Sequence, residues 1–170
     1  LGHDDPTVIK FLMDYVHEHP DDFPFSHPQD IPVDDKTVYQ LFKGTDVINV
    51  TKDDILSDVA SYAVPELGTN FVRNMLIETK PDSFGLLVKI SGLSHGTDVW
   101  SNNAQDLINN VRPELGKVTF DEVIGCRDDI MVYLQYQGLP PKKAFEIMEF
   151  VRKGRVHKDP MKWEDHKKVL

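Results

Sequence analysis

The sequence predicts an all-α fold, an irregular assembly of about eight to nine helices, and three observations carry that prediction. Apolar residues recur at helical rather than alternating spacing. Ser, Thr, Asp and Pro stand where helices would start, with Gly or Pro where they would stop. No alternating strand or Asn-Gly hairpin interrupts the pattern.

Asp4, Asp5 and Pro6 open a helix reaching about His19, since Pro6 tolerates the first turn, where its missing N–H costs nothing. Pro20 to Pro32 holds four prolines and little periodicity, which reads as a connecting loop. Asp34 or Asp35 can cap a short helix to Lys43 with Gly44 as its stop, and Thr51 caps another to about Asp58. From Gly68 to Lys80, Val72, Met75, Leu76 and Thr79 fall on one face, and Pro81 ends that helix. Ser83 to Ser91 forms the next, stopped by Gly92. Asp98 is expected to cap a helix reaching about Asn110.

Thr119 and Glu122 have capping-box spacing ahead of a short turn. Arg127 to Gln137 is helical and closed by Gly138. Pro140 or Pro141 starts a helix whose Ala144, Ile147, Met148 and Val151 make the cleanest apolar stripe, ended by Gly154. Residues 155–170 form a basic helical tail, or the start of a further segment, with few apolar residues and a partner surface expected elsewhere. Pro-Glu-Leu-Gly occurs at Pro65 to Gly68 and Pro113 to Gly116, but the flanks differ, so shared turn chemistry explains it better than a repeat.

At 170 residues the chain fits one domain with a core that needs no metal or disulfide staple. Cys126 is the single cysteine and cannot form an internal disulfide, and no apolar run approaches the ~18 residues of a membrane span. A cytoplasmic protein with no membrane partner is expected. The net charge of −9 is uneven: residues 1–66 hold 4 basic and 14 acidic side chains, 67–137 hold 6 and 9, and 138–170 hold 9 and 5. Such a chain repels a phosphate backbone except through a local basic face. The start at Leu1, without a methionine, reads as part of something longer.

Several residues could carry chemistry. Arg127 stands in the first turn of its helix, where a cation is unfavourable by about 0.3–1 kcal/mol unless an anion or a neighbouring carboxylate offsets it. An ion pair with Asp121, Glu122 or a neighbouring helix would do so without any ligand. Arg73 and Lys80 share one flank of their helix and could line a cleft or stand solvated. His95, between Ser94 and Gly96, could meet a phosphate or simply bond neighbouring carbonyls; Asp98 would compete for the same terminus. Gly92 to Gly96 lacks the Gly-Lys-Ser/Thr ending of a P-loop. His17, His19, Asp21, Asp22 and His27 match no standard metal spacing. His3, Asp4 and Asp5 could hold a hard cation but suit helix opening better. Cys126 precedes Arg127 but has no evident general base nearby.

The run Ile90 to Trp100, Ile-Ser-Gly-Leu-Ser-His-Gly-Thr-Asp-Val-Trp, resembles a segment of the PolC-type DNA polymerase III alpha subunit. Leu1 to Thr7, Pro65 to Leu76, Ile124 to Met131 and Ala144 to Gly154 resemble the same family in the same order. The resemblance implies that residues 1–154 are the fingers domain, beginning just after the third aspartate of a palm that holds two magnesium ions outside this chain. It implies binding of dNTP and DNA template-primer through Arg73, Lys89, His95, Arg127 and Arg152. It also implies replisome partners, the sliding clamp among them, reached through other parts of the parent. Alone, the piece would not polymerise. Leu67 in place of an aromatic and Ser101-Asn102 in place of a Leu-Gly pair depart from the family and read as packing changes. The alternatives are a free-standing helical interaction module, favoured by the acidity and apolar stripes, and a metal-binding regulator built on the histidine loop.

Overall fold

The computed structural model describes residues 4–96 and 98–170, so expectations that fall on Leu1 to His3 and Thr97 lie outside it. It is all-α: eight α-helices and no strand among the described residues. They are α1 Asp4–Glu18, α2 Lys52–Ile55, α3 Asn70–Thr79, α4 Phe84–Ser94, α5 Gln105–Ile108, α6 Arg127–Tyr136, α7 Pro141–Arg152 and α8 Pro160–Lys167, with short 3-10 turns in several of the connections. None is long and apolar enough to cross a membrane. The chain divides into two compact units between Leu87 and Val88.

In the first unit, Met13 and Val16 of α1 are buried, and α3 buries Val72, Met75 and Leu76 as its stripe predicts. Thr69 caps α3 by accepting from Val72 N–H, and α3 packs on the 3-10 turn Val38–Phe42. That turn replaces the short α-helix expected after Asp34 or Asp35. The Asp35 carboxylate accepts from Thr37 N–H at 2.7 Å, a local bond that satisfies the backbone without an α-helical turn. The Thr51 cap is present, reciprocated by Asp54, but α2 stops at Ile55 because Leu56 turns left-handed at φ 52°. The histidines in and before the proline-rich loop hydrogen-bond to nearby backbone. His17 Nε2 donates to the Ser26 carbonyl and His19 Nδ1 to that of Tyr15, while His27 accepts from Gln29 N–H. Among the described residues, no three His, Cys, Asp or Glu side chains gather as a metal site.

In the second unit, α6 and α7 pair around Leu134, Ala144 and Ile147, with Ile130, Met131, Leu139, Val151 and Trp163 packed against them. Two expectations fail here. Gly92 does not stop its helix, which continues to Ser94. A Cβ at Gly92 would overlap the Gly125 carbonyl oxygen, so this glycine serves a close approach of two backbones. Asp98 is not a helix cap: its φ is 57°, outside the extended region an N-cap uses, and the following turn breaks at Ser101 and Asn102. Only Gln105–Ile108 is regular α-helix in that stretch. Asn102 sits at φ 60°, a left-handed backbone that asparagine adopts more readily than most residues.

Part of the tail packs within the chain, while Met161, Val169 and Leu170 stay exposed. Asp159 caps α8 by accepting from Lys162 N–H, and α8 lays Trp163 and His166 against Phe150 of α7, at ring-centroid separations of 6.2 and 4.9 Å. The two Pro-Glu-Leu-Gly strings differ in conformation, with Glu66 at φ 67° in one and Gly116 at φ 83° in the other.

Candidate functional site

The second unit contains a cleft of about 730 Å³ whose walls come from α4, the broken turn after it, the segment 118–126, α6 and α7. Leu93, Leu107, Val118, Ile124 and Ile130 make much of it apolar, and Arg127, Arg152 and Glu122 supply its charge. Its size lies in the range of small-molecule sites.

Lys89 builds one wall. From α4 its ammonium donates to the carbonyls of Asp121 and, at 2.8 Å, Val123. Gly125 passes so close to Lys89 that a Cβ there would stand 2.8 Å from the lysine stem. Two glycines and a lysine thus clamp the segment 121–126 onto α4. Glu122 is tied to the Thr119 N–H and hydroxyl, both at 2.8 Å, and these bonds hold its carboxyl below the usual range.

Arg127 opens α6 beside this wall. The backbone N–H groups of Gly125 and Cys126 are taken by Asp129 at 2.8 and 3.2 Å, so the helix entrance already carries a carboxylate. The Arg127 side chain is 57% exposed, and its ionic neighbour is Asp128, 3.9 Å away, rather than Asp121 or Glu122. At that distance and exposure the pair is weak. Arg152 reaches the cleft from the end of α7, held by Glu149 in a two-pronged pair at 2.7 and 2.9 Å. Hydrogen bonds from Arg152 and then Lys153 pull the Glu149 carboxyl down to about 2, so the pair stays ionised at neutral pH.

The other expected contacts do not line this cleft. His95, exposed just past the end of α4, places Nδ1 2.6 Å from the Ser91 carbonyl and 3.0 Å from the Ser94 hydroxyl, so the histidine is engaged with its own helix end. Arg73 belongs to the first unit; its guanidinium lies 4.0 Å from the centre of the Tyr62 ring and donates to Asn70. Lys80 is the left-handed cap of α3, at φ 46°. The structure therefore brings Arg127 and Arg152 to one concavity and gives Lys89 a framing part. Sequence reasoning missed Glu149 as the partner of Arg152, although their i,i+3 spacing on one helix signals it; it missed the apolar lining because residues as far apart as Leu93 and Val151 carry no common sequence signal.

A family model for the bacterial DNA polymerase III alpha subunit finger domain matches residues 5–168. The chain is 55% identical over 155 residues to DNA polymerase III PolC-type of Halalkalibacterium halodurans, covering 91% of this chain and 10% of that protein. The same identity and coverage hold for the PolC-type polymerase of Bacillus subtilis. With that of Bacillus cereus it is 52% identical over 168 residues, 99% of this chain and 11% of the relative. The chain thus spans about a tenth of the length of these relatives. A match across almost all of the described fold, including α8, shows that this chain belongs to the bacterial DNA polymerase III alpha subunit finger-domain family.

Proposed function

We propose that this chain is the fingers part of a PolC-type replicative DNA polymerase, in which it holds the incoming dNTP and the template-primer during nucleotidyl transfer. The cleft carries the reading. It sets two guanidinium groups, Arg127 and Arg152, beside an apolar wall. Guanidinium forks pair with phosphoryl oxygens and neutralise charge there, while an apolar wall accepts the face of a base or sugar. Arg127 is the more available cation, since Arg152 is shared with Glu149. Lys89 acts by positioning the wall, and His95 and Arg73 remain contact candidates on other surfaces.

Magnesium, which would neutralise phosphate charge and activate the attacking hydroxyl, belongs in this reading to carboxylates outside the chain. The residues of the cleft are assigned binding and orientation in this reading. Polymerisation by the piece alone is not expected. Contacts with the sliding clamp and other replisome proteins, and the cytoplasmic setting, belong to the parent in the same way.

In a polymerase carrying this segment, Arg127→Ala should raise the nucleotide KM or lower kcat by about ten-fold or more, equivalent to about 1.4 kcal/mol of transition-state stabilisation. Steady-state primer extension measures it, and unchanged constants would remove Arg127 from the site. A second reading, a helical interaction module, draws on α1, where Val8, Phe11 and Tyr15 are 59%, 65% and 51% exposed. That reading predicts wild-type nucleotide kinetics for the same variant.

A further inference from the structure

His166 of α8 is 3% exposed, and neither ring nitrogen has a hydrogen-bond partner among the described residues. A buried imidazole with both nitrogens unpaired is costly, because desolvation removes water bonds that nothing replaces. The ring is fixed edge-on to Phe150, at 4.9 Å between centroids. It borders a pocket of about 450 Å³ between α7 and α8, shared with Phe145, Glu146, Glu149, Lys153, Arg155 and Lys162.

The charges of this pocket do not cancel. Glu149 is matched by Arg152 and Lys153, and Glu146 lies 3.6 Å from Lys143. Arg155 and Lys162 make no side-chain ion pair among the described residues. The acids are therefore answered while two cations and one imidazole are not. Phe145 adds a ring, 52% exposed, at the same pocket. A neutral imidazole can donate one N–H, guanidinium and ammonium groups donate several, and an exposed ring offers a stacking face. One ligand chemistry satisfies all four, a phosphate joined to a planar base.

We propose that the pocket between α7 and α8 binds a nucleotide phosphate of single-stranded nucleic acid, held by His166, Arg155 and Lys162 with a base against Phe145. This site is separate from the cleft of Arg127, and it does not rest on the function assigned there. It places the strand-binding contact in the one region where bases outnumber acids, 9 to 5 over residues 138–170 of a chain whose net charge is −9. Such a contact supplies the local basic face that an acidic chain needs in order to meet a phosphate backbone. Burial, then Lys143 and Lys162, hold the His166 pKa below its usual value against the opposing pull of Glu146 and Asp165. A bound phosphate adds negative charge beside the ring, so ligand binding and proton uptake at His166 are linked.

The test titrates the 170-residue chain with a labelled oligothymidylate, following anisotropy and the His166 ring resonances. The expected results are a shift and a raised pKa for His166. Binding should also weaken about five-fold or more in Arg155→Ala/Lys162→Ala, with the log-salt slope reduced by about 0.7 for each phosphate no longer neutralised. Inorganic phosphate and thymidine triphosphate form the other arms. If either moves His166 as strongly as the oligonucleotide at equal concentration, the site takes free phosphates and the strand assignment is overturned. Unmoved His166 resonances at saturation, or equal affinity and salt slope in the double variant, overturn the site itself. Both substituted side chains are exposed, so the fold of the double variant is expected to persist, and its thermal transition reports this directly.

Discussion

Single residues decide how the cleft is framed. Gly92 and Lys89 lie three positions apart on α4 and together fix the segment 121–126, one by admitting the Gly125 backbone and the other by binding its flanking carbonyls. Gly92→Ala puts a methyl group into a backbone oxygen that has little room to retreat, so overpacking of roughly 1–3 kcal/mol is expected. Chemical denaturation reads it, and a stability equal to wild type would show that the two backbones are not pressed together. The sequence invites a different view of this glycine, because one that stops a helix and one that admits another backbone look identical in a string. Lys89 resembles a ligand contact in the sequence for the same kind of reason: its carbonyl partners lie 32 and 34 residues away. By contrast, Thr51 and Thr119 are legible as caps, because every atom of a capping box lies within four residues.

Helices are legible where their periodicity and caps agree. The α7 stripe buries Ala144, Ile147 and Met148 as its spacing predicts, and Val151 is partly buried on the same face. Ile147→Ala should therefore cost about 2–5 kcal/mol in denaturant unfolding, and a cost below about 1 kcal/mol would mean the α6 and α7 pairing closes over the gap. The stretch after Asp98 misleads because its left-handed residues, Asp98 and Asn102, are ones whose polar side chains also suit helix starts. Composition hides the α8 docking, since a helix with Lys162, Glu164, Asp165, Lys167 and Lys168 around one buried ring gives no apolar stripe.

That ring makes the element sensitive to acid. The folded state holds His166 below its ordinary pKa, so the unfolded chain takes up a proton first as pH falls below about 6.5. The contribution of neutral His166 is present above that pH and is lost progressively as the pH drops toward the lower folded-state value. Unfolding midpoints from about pH 7.5 to about 5.5 should fall more steeply in the wild type than in His166→Phe, which keeps an apolar ring and cannot take up a proton. Equal slopes would show that burial of this imidazole has no energetic consequence.

For the whole molecule, charge distribution links the fold to the family it belongs to. The acidic first unit and the basic end of the second make the chain repulsive to nucleic acid except at selected places, which favours contacts by a few well-placed cations over a broad basic surface. Family membership is readable from five strings in order, because those runs combine turn, cap and close-approach residues that no single helix requires. Which of the expected cations meet is not readable. Arg127 and Arg152 come together through packing of α6 on α7, while Arg73 belongs to the other unit.

Everything proposed for the cleft requires that both arginines grip the same nucleotide. The sharpest check is a double-mutant cycle of Arg127→Ala and Arg152→Ala in the polymerase, read as the nucleotide concentration giving half-maximal single-turnover extension. Each single change should raise that concentration, and the double change should depart from the product of the two by more than about two-fold, or about 0.4 kcal/mol, as groups holding one ligand do. Half-maximal concentrations that stay at the wild-type value in all three variants would be incompatible with a shared site.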